Sequence, residues 1–221
     1  MTAGRRFGQL VVVVASNAVI ERSVVRDTQP RVSDQNLGIG IAGDIACTPA
    51  ANGPSCVHAL PSELALSDVE AVSNHTAGVQ PKGSQARLER VAIRDVAPRA
   101  SDGEFGRGVA AQLACTAWAG SSSCDITTGN QVEMHDSLVE GAHEIGFMLA
   151  GGSGTVTGTV IRDTAPRASD GLWGHGFNVQ VGCLAGPDDC DESAPSALHL
   201  EHDLVTASFS LGGVSQDGDL K

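Results

Sequence analysis

Tyrosine is absent from this 221-residue chain, and phenylalanine and tryptophan together make up only about 3% of it. So little aromatic surface disfavours a large enzyme-type core and suits tight turns between small, β-branched strands. Lysine occurs only at Lys82 and Lys221, and the net charge is −12. Such an acidic chain repels nucleic-acid phosphates and anionic lipid, so neither is expected as a partner. No run of ~18 apolar residues is present, so membrane insertion is not expected. The apolar stretch Leu10–Ala15 follows Arg5 and Arg6 but is too short for the core of a signal peptide, and it reads as a buried strand. No segment keeps a 3.6-residue period between helix caps, which argues against helical repeats. No G-x-S-x-G, H-E-x-x-H, P-loop or dinucleotide fingerprint occurs.

What the chain does have is a repeat. Val25-Arg26-Asp27-Thr28-Gln29-Pro30-Arg31-Val32-Ser33-Asp34 returns from Ile93 as IRDVAPRASD and from Ile161 as IRDTAPRASD. Asp27, Asp95 and Asp163 lie 68 residues apart, and a fixed step of this kind signals stacked units. The units run over about 18–85, 86–154 and 155–221 of a single domain, with residues 1–17 resembling the tail of an earlier one. Within each unit, alternating segments such as 86–95 and 132–139 are separated by Gly and Pro. The pattern predicts two coils of short parallel strands per unit, one lean and one long. Propeller blades are the rival, but a lean unit of about 24 residues is too short for four strands. Three sets are expected as core columns: Val25, Ile93 and Ile161; Leu37, Phe105 and Trp173; Ile41, Val109 and Phe177. The paired glycines at 38 and 40, 106 and 108, and 174 and 176 are expected at corners needing positive φ or close approach. His175 replaces Arg107 and Ile39 between glycines, which suggests an exposed position.

The cysteines keep the same frame. Cys47, Cys115 and Cys183 step by 68, and Cys56, Cys124 and Cys190 follow them. The repeat selects local pairs, Cys47–Cys56, Cys115–Cys124 and Cys183–Cys190, each closing a loop rich in small and turn-forming residues. Zinc binding is the alternative, but spacings of nine and seven without C-x-x-C fit it poorly. With two coils per unit, equivalent cysteines lie roughly 9.6 Å apart, beyond the reach of a bond between units. Disulfides imply an oxidising compartment. The expectation is therefore an extracellular or cell-surface bacterial location, with the chain a segment of a longer exported protein.

Coil length, the recurring I-R-D-x-A-P-R-A-S-D strand-and-turn and the G-x-G strand openings resemble right-handed parallel β-helix proteins of the pectin-lyase-like class, from about residue 8 to 215. The resemblance implies an all-β solenoid of about six coils, with cysteine-stapled loop insertions. It is compatible with lyases, hydrolases, adhesins and inert scaffolds alike. No catalytic residue of that class transfers onto this chain.

The repeated pairs Arg26-Asp27, Arg94-Asp95 and Arg162-Asp163 invite a binding-ladder reading. Copying favours structural duty instead, because a catalytic site needs a unique set of unlike groups. Charged side chains facing solvent, with the aspartates hydrogen-bonding a turn backbone, account for the motif. His199 and Glu201 fall on one strand face and His202 on the other, so a shared metal is not expected. The acidic run Asp188-Asp189-Cys190-Asp191-Glu192 suits calcium chemically but reads as a solvated loop. Asp217-Gly218-Asp219 occurs once and carries little weight for calcium. No cofactor is expected. The leading expectation is a non-enzymatic surface scaffold contacting a polysaccharide or cell-surface glycan, with neighbouring coils of the same longer chain as its other partner. A polysaccharide lyase or glycoside hydrolase is the second reading, and a truncated fragment without independent function the third.

Overall fold

Residues 63–72 show why this sequence makes strands. Leu64 and Leu66 are buried while Glu63, Ala65 and Ser67 face outward, and then Val69 and Ala71 are buried in turn. The alternation slips by one residue at Asp68, which has φ 53°. A single residue in the left-handed region bends a strand sharply, and Asp tolerates it better than most. The chain therefore turns a corner there and resumes its inward–outward alternation.

The computed structural model describes residues 9–49, 56–116, 126–183, 193–208, 213–216 and 219–220. Every regular element among these residues is a strand, so the protein is all-β. Seven parallel strands form one sheet: Gln9–Val14, Ile39–Asp44, Ala77–Pro81, Arg107–Gln112, Ile145–Ala150, His175–Gln180 and Gly213–Gln216. The remaining parallel strands form a curled second sheet. Its strands pair Asn17 with Glu63, Glu63 with Gln85, Gln85 with Gln131, Gln131 with Ser153 and Ser153 with Ala197. These partners alternate between steps of 46 and 22 residues, except that the last step is 44. The chain thus visits the two sheets in turn, and a long pass follows each short one.

Three corner columns run along the stack. The first holds Arg22, Asp68, Arg90, Asp136, Gly158 and His202, and the second holds Asp27, Ser73, Asp95, Gly141, Asp163 and Ala207, all with positive φ. Gly38, Thr76, Gly106, Glu144 and Gly174 make the third. The corners keep their hydrogen bonds to the next strand. Asp27 donates its backbone N–H to Val72 O at 3.1 Å, Ser73 to Arg94 O at 3.0 Å and Asp95 to Glu140 O at 3.0 Å. That unbroken ladder offsets left-handed strain of about 1–3 kcal/mol per residue.

The core lies between the sheets. Val25, Ala71, Ile93, Val139 and Ile161 stack from one sheet against Ile41, Val79, Val109, Phe147 and Phe177 from the other. Gly78, Gly108 and Gly146 stand where the sheets come closest. A Cβ on Gly78 would overlap Ile93 Cγ2, and one on Gly108 would overlap Val139 Cγ1. The long passes carry two excursions each. One is an arm that leads from the second sheet to the first (residues 27–38, 95–106 and 163–174). The other starts as an antiparallel strand pair: Ala46–Pro49 with Cys56–Leu60, Ala114–Thr116 with Ile126–Thr128, and Gly182–Cys183 with Ser193–Ala194.

Several sequence expectations need correction. The segment 86–95 is two strands, Gln85–Glu89 and Ala92–Arg94, because Arg90 occupies a corner at φ 52°. The stretch Leu10–Ala15 is a half-buried edge strand: Val13 is buried, while Val12 and Val14 are nearly half exposed. Leu37, Phe105 and Trp173 are not an interior column. They sit in the arms, and Leu37 and Trp173 pack on the outer face of the first sheet against Ile39 and Ile145. Nor is the position of Ile39, Arg107 and His175 an exposed one. Ile39 is buried, Arg107 is nearly so, and the His175 ring stands edge-on to Trp173 at 5.5 Å.

Candidate functional site

The repeated decapeptide builds the arms. In each copy the arginine after proline ion-pairs the aspartate three residues on: Arg31 with Asp34, Arg99 with Asp102 and Arg167 with Asp170. The same aspartate closes an Asx turn. Its Oδ1 accepts the backbone N–H of Asn36 at 3.1 Å, Glu104 at 3.0 Å and Leu172 at 2.9 Å. The Asx role expected of Asp27, Asp95 and Asp163 thus falls on Asp34, Asp102 and Asp170. The first set instead occupies corner positions with exposed side chains. The guanidinium and the turn N–H hold Asp34 down to about 2. Asp102 and Asp170 are lowered by their arginines in the same way.

The arms also stack on one another. Ser101 Oγ donates to Asn36 Oδ1 at 3.0 Å, and Ser169 N donates to Gly103 O at 3.1 Å. Beneath the second arm, Glu144 is buried to 2% exposure at the third corner. Its carboxylate accepts from Arg107 Nη2 at 2.6 Å and from Phe105 N at 2.6 Å. Arg99 and Arg107 both lie over the Phe105 ring, at 4.3 and 4.5 Å. A cleft of about 360 Å3 remains between the first two arms, but the guanidiniums that line it are already engaged by carboxylates.

Arg26 and Arg162 pair loosely with their neighbouring aspartates, at 3.8 and 3.9 Å. Arg94 and Arg162 share Glu140 across strands, at 3.4 and 2.7 Å. The shared Glu140 fastens its strand to those of Arg94 and Arg162, so among the described residues this row alternates in sign rather than forming a ladder of like charge. His199, Glu201 and His202 are all exposed, with His202 at a corner and 3.6 Å from Glu201. Among the described residues no cluster of three or more His, Cys, Asp or Glu is placed to hold a metal. The acidic run 188–192 lies outside the described residues, as does Asp217. So does cysteine pairing: Cys124 and Cys190 are not described, and for Cys47, Cys56, Cys115 and Cys183 only the backbone is. That backbone places Cys47 opposite Ala59 and Pro49 opposite Cys56 in one strand pair.

The second sheet presents the other surface. A shallow groove of about 380 Å3 crosses its outer face, with Asn17, Glu63, Gln85, Arg87, Gln131 and Glu133 along it. An adjoining cleft of about 350 Å3 shares Gln85 and Gln131 and extends the groove to Ser153. The strands set these side chains in rows. Glu63, Gln85 and Gln131 are register partners, and so are Ala65, Arg87 and Glu133. The rows are ~4.8 Å apart, the spacing of neighbouring strands. Sequence reasoning passed over these residues. Their outward alternation was visible, but lining them up requires the 46- and 22-residue register. His75 and His143, at the repeat step, were also passed over. Their rings face Thr28 O at 3.0 Å and Val96 O at 3.1 Å, from beneath the arms.

No protein-family model matches the chain, and no curated protein or solved structure matches it.

Proposed function

We propose that this protein is a non-enzymatic scaffold of the right-handed parallel β-helix class that holds an extended glycan along the outer face of its second sheet. One observation carries the reading. The groove from Asn17 to Ser153 offers amide, hydroxyl and carboxylate groups in rows at strand spacing. A polymer of sugar rings lying across the strands meets a fresh set of donors and acceptors at every rung. The repeated arms support the scaffold half of the reading, since their charged groups are consumed by contacts within the chain. An extracellular or cell-surface location, with the three loops stapled by Cys47–Cys56, Cys115–Cys124 and Cys183–Cys190, completes the proposal. Intact mass with and without reductant tests the staples; six free thiols after oxidative expression would refute them. Calorimetric titration with neutral and charged polysaccharides tests the groove. Saturable binding that weakens when Gln85 and Gln131 are both replaced by alanine is the expected result. Failure of every polymer to bind ends the glycan reading.

A second reading has its own observation. Glu63 and Glu133 flank Arg87 on one face, and none of the three belongs to a copied motif. Unlike groups gathered once are what a lyase or hydrolase of this class requires. Turnover of a polysaccharide that is lost in Arg87→Ala would replace the scaffold reading with this one.

A further inference from the structure

The electrostatics of the groove narrow the kind of glycan it takes, and this step rests on the glycan reading above. Among the described residues that line the main groove Arg87 is the one cation, and its guanidinium already lies 3.9 Å from Glu89. The two carboxylates of the groove, Glu63 and Glu133, make no ion pair among the described residues. The local balance is therefore negative, on a chain whose net charge is −12. A groove lined by one sign of charge concentrates ligands of the other sign and repels its own. A polymer of sugar acids brings carboxylates to unpaired carboxylates. A polymer of amino sugars brings ammonium groups to them.

Register adds a spacing. Glu63 pairs with Gln85, and Gln85 with Gln131, on successive strands. Glu133 stands two residues beyond Gln131 on that third strand. The carboxylates are thus two rungs apart, roughly 9.6 Å along the stack, with Gln85 and Arg87 on the strand between. We propose that the groove binds a hydroxylated polymer of amine-bearing sugars, with ammonium groups on alternate residues meeting Glu63 and Glu133. The Gln85 and Gln131 amides hydrogen-bond the hydroxyls between those two points.

Three soluble oligomer probes of equal length test this: glucosamine, N-acetylglucosamine and galacturonate. The glucosamine oligomer should bind roughly tenfold tighter than the acetylated one at low ionic strength, because each exposed ion pair contributes a few-fold. Added salt should shrink that advantage, since exposed charge pairs are screened. The double variant Glu63→Gln, Glu133→Gln should abolish it while weak binding of the acetylated oligomer survives. Arg87→Gln should move affinity for the amine oligomer upward. Both variants change exposed or half-exposed side chains, so circular dichroism should be unchanged. The proposal is overturned if the acetylated or galacturonate oligomer binds as tightly as the amine, or if the amine advantage persists in the double variant. If none of the three binds, the glycan reading itself falls, and the preference falls with it.

Discussion

The arms on the first sheet and the groove on the second belong to the same stack of strands, yet one is copied and the other is not. Each arm repeats an arginine, an Asx aspartate and a stacking contact, and each of those groups finds its partner inside the protein. The groove uses side chains that change at nearly every rung, and Glu63 and Glu133 make no ion pair among the described residues. Repetition here marks what the coil needs in order to form. Variation on an exposed face marks where a ligand has room to impose its own pattern. If that contrast is right, mutations on the arm side and in the core change stability, while mutations in the groove change binding alone.

The core gives the largest effect. Phe147 is fully buried, 5.8 Å from the Phe177 ring, in the column of the first sheet that packs against the second. Phe147→Ala removes that burial and leaves a cavity, at a cost of about 3–5 kcal/mol. Chemical denaturation should show the free energy of unfolding falling by that amount. A loss below ~1 kcal/mol would mean that the two sheets do not pack as described.

Next comes the most buried ion pair among the described residues, between Glu144 and Arg107, whose side chains are 2% and 11% exposed. Removing the carboxylate leaves a buried guanidinium without its partner, and that costs about 3–5 kcal/mol. Glu144→Ala should therefore destabilise nearly as much as the core variant. Glu144→Ala combined with Arg107→Leu should recover much of the loss, because a matched apolar pair removes the stranded charge. The absence of any rescue would show that Glu144 acts through the corner backbone rather than through the pair.

The exposed ion pairs of the arms come third, and pH reaches them without mutation. Asp34 sits at about 2 in the folded chain against an ordinary 3.8, so its contribution is complete above 3.8 and fades as pH falls towards 2. Asp102 and Asp170 shift in the same direction. The amide resonances of Asn36, Glu104 and Leu172, which donate to these carboxylates, should titrate with midpoints clearly below the ordinary value. Midpoints at 3.8 or above would break the Asx-turn account of the motif. Asp102→Ala should cost no more than ~1 kcal/mol, the usual limit for an exposed pair, and Glu104, 3.3 Å from the guanidinium, still holds Arg99.

Much of this architecture was legible in the residues. The 68-residue step gave two passes per unit, the parallel strands, and the columns of Val25, Ile93 and Ile161 and of Ile41, Val109 and Phe177. The glycine positions were legible too, for two separate reasons: Gly38, Gly106 and Gly174 take positive φ, whereas Gly108 stands where the sheets nearly touch. The corners were harder. Arg22, Arg90 and His202 adopt a backbone that their side chains do not advertise, and only the one-residue slip in alternation, as from Leu66 to Val69, betrays it. Phe105 and Trp173 misled because an aromatic residue in register looks like core, while the arm carries them to the outside of the sheet. The groove stayed hidden because its residues come from strands 22 and 46 positions apart and share no motif.

The smallest stability effect belongs to that groove, and it is the sharpest test of the contrast. Gln85 and Gln131 are exposed register partners with no role in the core. Replacing both with alanine changes surface positions on strands held by neighbours on each side, so the free energy of unfolding should move by no more than ~0.5 kcal/mol. Affinity for a bound oligosaccharide should nevertheless fall by about tenfold or more, since each lost hydrogen bond is worth about 0.5–1.5 kcal/mol. A matched control on the other side, Ser101→Ala, removes the arm contact to Asn36 and should leave binding untouched. If the glutamine variant loses stability while binding is unchanged, the outward row is part of the scaffold after all. The line between the copied and the uncopied faces would then have been drawn in the wrong place.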